Sequence, residues 1–209
     1  MEQSTLKYLR IIIPGLIFLF GIYPIYAHYF ADLFGLKTLD FGYVTILAVI
    51  IGGIYYQLNI QRIITKPSHF FITKNIRKHL IKISGLNLNV NDLKKIKKEK
   101  KYMNVFYKIL DNDESLKKKM SNVYFNGIFW TSTADSFLIN LLFHFLYKYD
   151  ATDVNGRENL SALFMILAIV SLVLHIISVF KHINLANDQF HYIETHKQSE
   201  IRTEINQIV

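Results

Sequence analysis

The chain has 209 residues, 51% of them hydrophobic, and a formal net charge of +8 at pH 7. It contains no cysteine, which excludes disulfide bonds, thiolate metal sites and cysteine nucleophiles. The apolar residues are gathered into long runs, a composition typical of integral membrane proteins and not of water-soluble domains.

Four apolar runs follow one another along the sequence. A helix rises about 1.5 Å per residue and the hydrocarbon core of a bilayer is about 30 Å thick, so roughly 20 apolar residues cross it. The runs cover residues 11–30, 42–64, 125–147 and 160–180. The sequence therefore predicts an all-α integral membrane protein with four transmembrane helices and a small basic helical cytoplasmic layer.

This pattern divides the chain into four parts. Residues 1–64 are expected to form a first transmembrane hairpin that begins with a retained signal-anchor, and 124–182 a second hairpin. Residues 65–123 are predicted to be a basic cytoplasmic helical loop, and 183–209 a cytoplasmic tail helix.

The distribution of lysine and arginine predicts the orientation. Residues 62–119 carry 16 Lys and Arg against 5 Asp and Glu, whereas the loops 31–41 and 148–159 carry three basic residues between them. Positive charge is retained on the cytoplasmic side, so the basic loop is predicted to lie inside. The chain is therefore predicted to be a multi-pass protein of the inner (plasma) membrane, and four spans place both of its termini in the cytoplasm.

Helical patterns continue within the basic loop. Pro67 with Ser68 is predicted to break the helix that leaves the second span. Apolar residues then recur at helical spacing up to Gly85, which fits a C-terminal stop; they are Ile72, Ile76, Leu80 and Ile83.

A linker and N-cap over residues 87–92 predict a second loop helix. Its apolar face is expected to carry Leu93, Ile96, Met103, Phe106, Tyr107 and Leu110. From Ser115 onward the sequence predicts one continuous helix into the third span.

The C-terminal tail carries a weak helical stripe. Its apolar members are Phe190, Ile193, Ile201, Ile205 and Ile208. Two interpretations remain open: a frayed extension of the fourth span, or a helix that docks on the basic layer or on a neighbouring subunit. Docking is electrostatically reasonable, because residues 181–209 have a net charge of about −1 and residues 62–119 about +11, although exposed ion pairs contribute little individually.

Two ionisable residues lie inside predicted spans, where a charge is costly. Asp135 is near the middle of the third span and His175 is in the inner half of the fourth. A contact between these two residues, within or between subunits, would provide a route for protons or ions. The favoured interpretation is that Asp135 is satisfied by Thr131, Ser132 or the backbone at a helix interface and specifies helix packing.

Lysines of the basic loop are the candidate binding residues. They are Lys94, Lys95, Lys97, Lys98, Lys100, Lys101, Lys117, Lys118 and Lys119. Three uses remain open: contact with anionic lipid headgroups, docking of an acidic cytoplasmic protein, and contact with nucleic acid. Direct nucleic-acid contact is the weakest, because the nearby aromatic residues share the apolar helix face.

Enzyme and metal signatures are missing from the sequence. It has no P-loop, no GxSxG, no HExxH and no paired acidic motif of a lipid-phosphate transferase. His182, His191 and His196 are spaced nine and five residues apart, which puts no pair on one helical face. We therefore expect no catalytic activity, no metal and no cofactor.

Small residues in the first two spans indicate close helix approach and assembly. They are Pro14, Gly15, Gly21, Pro24, Gly52 and Gly53. The sequence has no internal repeat of the kind that marks transporters. A homo-oligomer is expected, with a tetramer as the working subunit number.

The layout consists of four spans, a Lys-rich helical loop at 62–119 and a long tail at 181–209. It resembles the small four-span membrane components of bacterial anti-phage defence, in particular the membrane subunit of the Kiwa system. That resemblance covers the whole chain and implies a membrane anchor for a separate cytoplasmic DNA-binding effector. It assigns no role to individual residues. The expected function is a non-enzymatic, oligomeric membrane scaffold or sensor that recruits a cytoplasmic partner; the alternative is a pore-forming, membrane-permeabilising effector.

Overall fold

The computed structural model describes residues 3–30, 41–60, 62–99, 101–149, 154 and 156–208. These residues are 91% helical and include no strand, which confirms the all-α prediction. In chain order their eight helices are α1 (Gln3–Tyr29), α2 (Phe41–Gln57), α3 (Arg62–Ser84), α4 (Val90–Glu99), α5 (Tyr102–Asp111), α6 (Glu114–Tyr149), α7 (Arg157–His196) and α8 (Gln198–Asn206).

The chain forms two compact units. The apolar unit comprises Met1–Thr65 and Gly127–Ser178, and the basic unit comprises Lys66–Asn126 and Val179–Val209. The apolar unit has 6 Lys and Arg against 7 Asp and Glu, a net charge of −1. The basic unit has 18 against 9, a net charge of +9, so all of the protein's excess positive charge belongs to it.

Two helices of the described residues, α1 over Tyr8–Tyr29 and α7, are long and apolar enough to cross a membrane. A third span exists if α2 and α3 together form one broken span. The run 125–147 lies in α6, which does not qualify because Asp135 and several Ser, Thr and Asn residues lower its hydropathy. Two or three candidate spans therefore stand where the sequence predicts four.

Close backbone packing joins α1 to α2 in the apolar unit. A Cβ atom built on Gly15 would lie 1.9 Å from the Ala48 carbonyl oxygen, and one built on Gly52 would lie 1.8 Å from the Ile11 carbonyl oxygen. Only glycine fits at such distances. Gly53, by contrast, has no atom within 4 Å of its Cβ position. Of the two adjacent glycines in α2, Gly52 therefore makes the helix contact.

An aromatic cluster forms the centre of the apolar unit. Phe143 and Tyr147 of α6 and Phe164 of α7 are each at most 2% exposed, and the Tyr147 and Phe164 rings stack with centroids 5.5 Å apart. The Tyr147 hydroxyl donates a hydrogen bond of 2.8 Å to the Gly21 carbonyl oxygen of α1, which satisfies the one polar group of the cluster. Helices α1, α6 and α7 therefore share one core.

The basic unit has an ordinary hydrophobic interior. The predicted α3 stripe is buried in full, with Ile72, Ile76, Leu80 and Ile83 at most 5% exposed. Helix α3 ends at Ser84, and Gly85 follows with a positive φ of 61°. This confirms the predicted stop, because a left-handed residue after a helix is most often glycine.

The tail belongs to that interior. Helix α7 continues through the fourth run to His196, and α8 follows after Lys197. The five predicted stripe residues are all buried. The Phe190 ring lies 5.3 Å from the Phe106 ring and stacks on His79 at 4.8 Å. The tail is thus a continuation of the fourth-run helix that docks on the basic segment of the same chain.

Helix breaks differ from the predicted ones at two places. The second run is interrupted after Gln57, where Asn59 adopts a positive φ of 53°, whereas Pro67 lies inside α3. Proline six residues into a helix removes one backbone hydrogen bond near its start, and asparagine tolerates the left-handed turn better than most residues.

The predicted second loop helix is two helices, α4 and α5. Leu93 and Tyr107 are 41% and 44% exposed, so they leave the predicted apolar face. Ser115, in contrast, lies in α6, which runs without a break into the third run as predicted.

Candidate functional site

Exposed lysines cover the basic unit. Of the predicted binding residues, those with exposed side chains are Lys94, Lys95, Lys101, Lys117, Lys118 and Lys119. Lys100 and the side chains of Lys97 and Lys98 lie outside the described residues. The six exposed lysines lie on the polar faces of α4 and α6 or immediately before α5, and the apolar faces of these helices fill the core.

Other lysines are used inside the unit to hold the tail. Lys108 of α5 forms a hydrogen-bonded ion pair with Glu204 of α8, and this hydrogen bond raises the pKa of Lys108. Lys82 of α3 lies 3.6 Å from Glu194 of α7. The tail's acidic residues therefore neutralise lysines that differ from the candidate binding lysines.

Asp113 connects the turn before α6 to the tail. Its Oδ1 accepts a hydrogen bond of 3.1 Å from the backbone N–H of Leu116, the usual N-cap contact. Its Oδ2 accepts a long hydrogen bond from the Tyr192 hydroxyl, 3.4 Å, and lies 3.8 Å from Lys197 Nζ. The Leu116 hydrogen bond is the main cause that lowers the pKa of Asp113, and the Lys197 charge acts in the same direction.

Lys119 marks where the binding face meets the tail. Its Nζ lies over the Tyr192 ring, 5.1 Å from the centroid, within cation–π range. Tyr192 also contacts Asp113. Tail packing therefore fixes the position of at least one predicted binding lysine.

A second polar feature lies inside the apolar unit, along the contact between α6 and α7. On α7 the buried positions recur at alternating spacings of three and four residues; they are Ser161, Phe164, Ala168, Ser171, His175 and Ser178. We call the polar side chains of this contact, on both helices, the polar row. Its small and polar residues let the helix backbones approach and hydrogen-bond inside an apolar environment.

Hydrogen bonds connect the polar row across the two helices. Ser136 and Ser171 share a bond of 2.8 Å, and the Asn140 amide donates to the Ser136 carbonyl oxygen at 2.7 Å. Further along, His144 Nδ1 lies 3.0 Å from the Ser161 carbonyl oxygen. The Asn140 Oδ1 atom is buried and has no hydrogen-bond partner in the described part of the chain. The row therefore retains unused hydrogen-bonding capacity.

The structure gives Asp135 a different partner from those predicted. Its Oδ1 accepts a hydrogen bond of 3.1 Å from the Tyr55 hydroxyl of α2, while the Thr131 hydroxyl donates to backbone oxygens of its own helix. The Ser132 Oγ atom is buried without a hydrogen-bond partner among the described residues. The positive charge of Arg10 also attracts the Asp135 carboxylate. Asp135 thus links α6 to α2: its partner is neither Thr131 nor Ser132, but the contact lies at a helix interface, as the packing interpretation expects.

His175 does not meet Asp135 within one chain. Its Nδ1 lies 3.0 Å from the Trp130 carbonyl oxygen of α6, and its ring is 6.2 Å from the Trp130 ring. A carbonyl oxygen only accepts, so this contact requires the proton on Nδ1. The two ionisable residues singled out from the sequence therefore have separate roles in helix contacts.

Sequence reasoning identified Asp135 and His175 in the apolar unit and missed the polar row to which His175 belongs. The spacing of Ser161, Ala168, Ser171 and Ser178 was readable, because separations of seven, three and seven residues place them on one helix face. Tyr55 carried no such signal, since the packing of α2 against α6 is not encoded in local spacing.

The described residues contain no group of three His, Asp or Glu side chains that would hold a metal ion. Comparisons with protein families, with curated proteins and with solved structures found no match to this chain.

Proposed function

We propose that this protein is a four-span, homo-oligomeric inner-membrane scaffold or sensor that presents its basic unit to an acidic cytoplasmic protein. The observation that carries the proposal is the separation of charge between the units, −1 against +9. A compact unit with a buried apolar core and exposed lysines has the form of a docking surface, and lysine-rich surfaces steer acidic partners by long-range attraction.

Tail packing supports the same proposal. Glu194 and Glu204 of the tail pair with Lys82 and Lys108, which are not among the candidate binding lysines. The side chains of Lys94, Lys117 and Lys118 are exposed, and each would be attracted to an anionic membrane surface by about 1 kcal/mol.

A matched pair of variants tests the docking surface. The first replaces Lys94, Lys95 and Lys101 by Gln, and the control replaces Lys66, Lys74 and Lys78, three exposed lysines of α3, by Gln. We expect the first variant alone to lose its co-purifying acidic protein in mild detergent, with membrane insertion unchanged in both. A solitary monomer that retains no partner under these conditions would contradict the scaffold.

Labelling tests the four-span topology. Since the chain has no cysteine, single cysteines placed at Lys118 and at Thr152 report sidedness. We expect a membrane-impermeant maleimide to label only the Thr152→Cys variant in intact spheroplasts, and both variants after lysis. Labelling of the Lys118→Cys variant from outside would reverse the proposed orientation.

The alternative function is a pore or permeability effector, and the polar row favours it. Hydrogen-bonding side chains from His144 to His175 follow one contact through the apolar unit, and Asn140 Oδ1 has hydrogen-bonding capacity that water would satisfy. This function predicts ion flux in liposomes that changes in Asp135→Asn or His175→Ala. An unaltered membrane potential upon triggering would reject it.

A further inference from the structure

A groove lies at the start of α7, next to the end of the polar row that His144 and Ser161 form, and its charged residues have no role in the proposals above. It has a volume of about 520 Å³. One end is lined by charged and polar side chains of α6 and α7: His144, Lys148, Arg157, Glu158 and Ser161. The other end is lined by Ala162, Met165 and Ile166. The groove thus combines a polar, cationic end with an apolar end.

We propose that this groove binds the headgroup and upper acyl chain of an anionic phospholipid with hydroxyls on its headgroup, of which phosphatidylglycerol is the simplest.

The dimensions of the groove fit a lipid in one leaflet. From Arg157 to Ile166 the helix rises about 14 Å at 1.5 Å per residue, close to half of the roughly 30 Å hydrocarbon core. Arg157 precedes the apolar run, and Met165 and Ile166 lie within it with 39% and 58% of their surface exposed. A lipid with its phosphate beside Arg157 would therefore lay its acyl chain over exposed apolar surface.

Charge complementarity selects the headgroup. Among the described residues that line the groove, Lys148 and Arg157 contribute two positive charges and Glu158 one negative charge, so this lining is net positive before His144 is counted. A phosphodiester oxygen pair matches the lysine and arginine donors. The Glu158 carboxylate accepts hydrogen bonds only, so it disfavours a bare phosphate and suits a headgroup that also carries hydroxyl donors.

His144 is held in place for this contact. Its Nδ1 lies 3.0 Å from the Ser161 carbonyl oxygen and 3.1 Å from Ser161 Oγ. These contacts between Ser161 of α7 and Nδ1 of His144 on α6 fix the orientation of the imidazole ring. The histidine and serine that line the groove are therefore pre-ordered by protein contacts.

Photo-crosslinking of the full-length protein tests this site. The protein is reconstituted in phosphatidylcholine nanodiscs that contain a phosphatidylglycerol with a diazirine in its acyl chain. We expect the crosslink to map to the peptide containing Met165 and Ile166. Unlabelled phosphatidylglycerol should compete, whereas phosphatidylcholine and inorganic phosphate should not. Equal competition by phosphatidylcholine, or competition by inorganic phosphate, would overturn the lipid assignment.

Variants make the test specific. Replacing Lys148 and Arg157 together by Gln should reduce crosslinking on the order of tenfold, because two interfacial cations are lost. Arg157→Lys should retain most of it, and the control pair Lys74→Gln with Lys78→Gln, two exposed lysines of α3, should leave it unchanged. Full crosslinking in the Lys148 and Arg157 double variant with an unchanged melting temperature would contradict the proposal, as would a crosslink confined to a subunit interface.

Discussion

The two units distribute polarity in opposite ways. On α7 within the apolar unit, Ile169 and Val173 are about half exposed, at 52% and 50%, while Ser171 and His175 are buried at 7% and 5%. In the basic unit Leu80, Ile96 and Phe106 are at most 4% exposed, and lysines cover the surface. The comparison indicates two solvents: apolar residues face outward where the surroundings are hydrocarbon, and inward where the surroundings are water.

The sources of cohesion differ accordingly. Burial of large side chains drives folding in water, so the basic unit is built around Phe106, Phe190 and aliphatic residues. Lipid removes that driving force between helices, and the apolar unit instead uses close backbone contact at Gly15 and Gly52 and hydrogen bonds at the polar row. Substitutions of the same chemical kind should therefore have different effects in the two units.

The largest effect is expected from Phe190→Ala in the basic unit. Phe190 is 1% exposed and packs on Phe106 and His79, so the cavity should cost about 3–5 kcal/mol of unfolding free energy. We expect a lower melting temperature and release of the tail to limited proteolysis. Phe70→Ala, at a phenylalanine that is 53% exposed in the same unit, should change stability by less than about 0.5 kcal/mol. Equal effects of the two variants would contradict a water-type core.

Ile169→Lys tests the outward face of the apolar unit. A lysine near the centre of a membrane helix costs about 3 kcal/mol on insertion scales, so we expect a reduced carbonate-resistant fraction. Ile169→Ala should insert normally, as should Asn104→Lys, which adds the same charge to the exposed surface of α5. Normal insertion of Ile169→Lys would show that this face meets water or protein and not lipid.

Adjacent glycines provide a third test. Gly52→Ala places a methyl group on the Ile11 carbonyl oxygen and should cost about 2–3 kcal/mol through separation of α1 from α2. Gly53→Ala has open space around its new methyl group and should be neutral or slightly stabilising, because alanine is the better helix former. Melting of the detergent-solubilised protein measures both, and identical melting temperatures would refute close α1–α2 packing.

The same difference in solvent explains what the sequence could predict. In the basic unit the stripe from Ile72 to Ile83 was visible, because a helix in water separates apolar from polar faces. In α7 nearly every residue of the span is apolar, so hydropathy locates the helix but not its inner face. Only the spacing of its small and polar residues, such as Ser171 and Ser178, indicates that face.

Contacts distant in sequence could not be predicted from local patterns. The pairing of Asp135 with Tyr55 joins residues 80 positions apart, and the turn at Asn59 depends on a backbone conformation that several residues tolerate. Proline was the stronger local signal at Pro67, yet its position near the start of α3 leaves the helix intact. The candidate lysines, by contrast, were identified from the total charge of each loop, and such a total can be counted without any knowledge of tertiary contacts.

Asp113→Ala should weaken the attachment of the tail by an intermediate amount. Loss of an N-cap side chain costs about 1 kcal/mol. Because the pKa of Asp113 is lowered in the folded protein, its contribution is complete above the ordinary carboxyl pKa of about 3.9 and is lost as the pH falls through the lowered value. We therefore expect the protection of the tail from limited proteolysis to be constant between about pH 5 and 7. On acidification below about pH 4, this protection should decrease less in the variant than in wild type, because the variant lacks the contribution that acid removes. Wild-type and variant acid curves of the same shape would contradict this linkage.

The smallest effect, and the one that separates packing from transport, concerns Tyr55 and Asp135. Hydrogen bonds between membrane helices average about 0.6 kcal/mol in double-mutant cycles, with a maximum near 1.7 kcal/mol. A cycle of Tyr55→Phe and Asp135→Leu should therefore give a coupling energy in that range. Asp135→Asn retains a carbonyl oxygen that accepts from the Tyr55 hydroxyl, so its oligomer should remain intact and its partner bound. If Asp135 instead titrates during ion movement, Asp135→Asn would abolish flux in a fully assembled protein. That single result would favour the pore over the scaffold, because a carboxylate that only joins α2 to α6 is replaceable by an amide of the same shape.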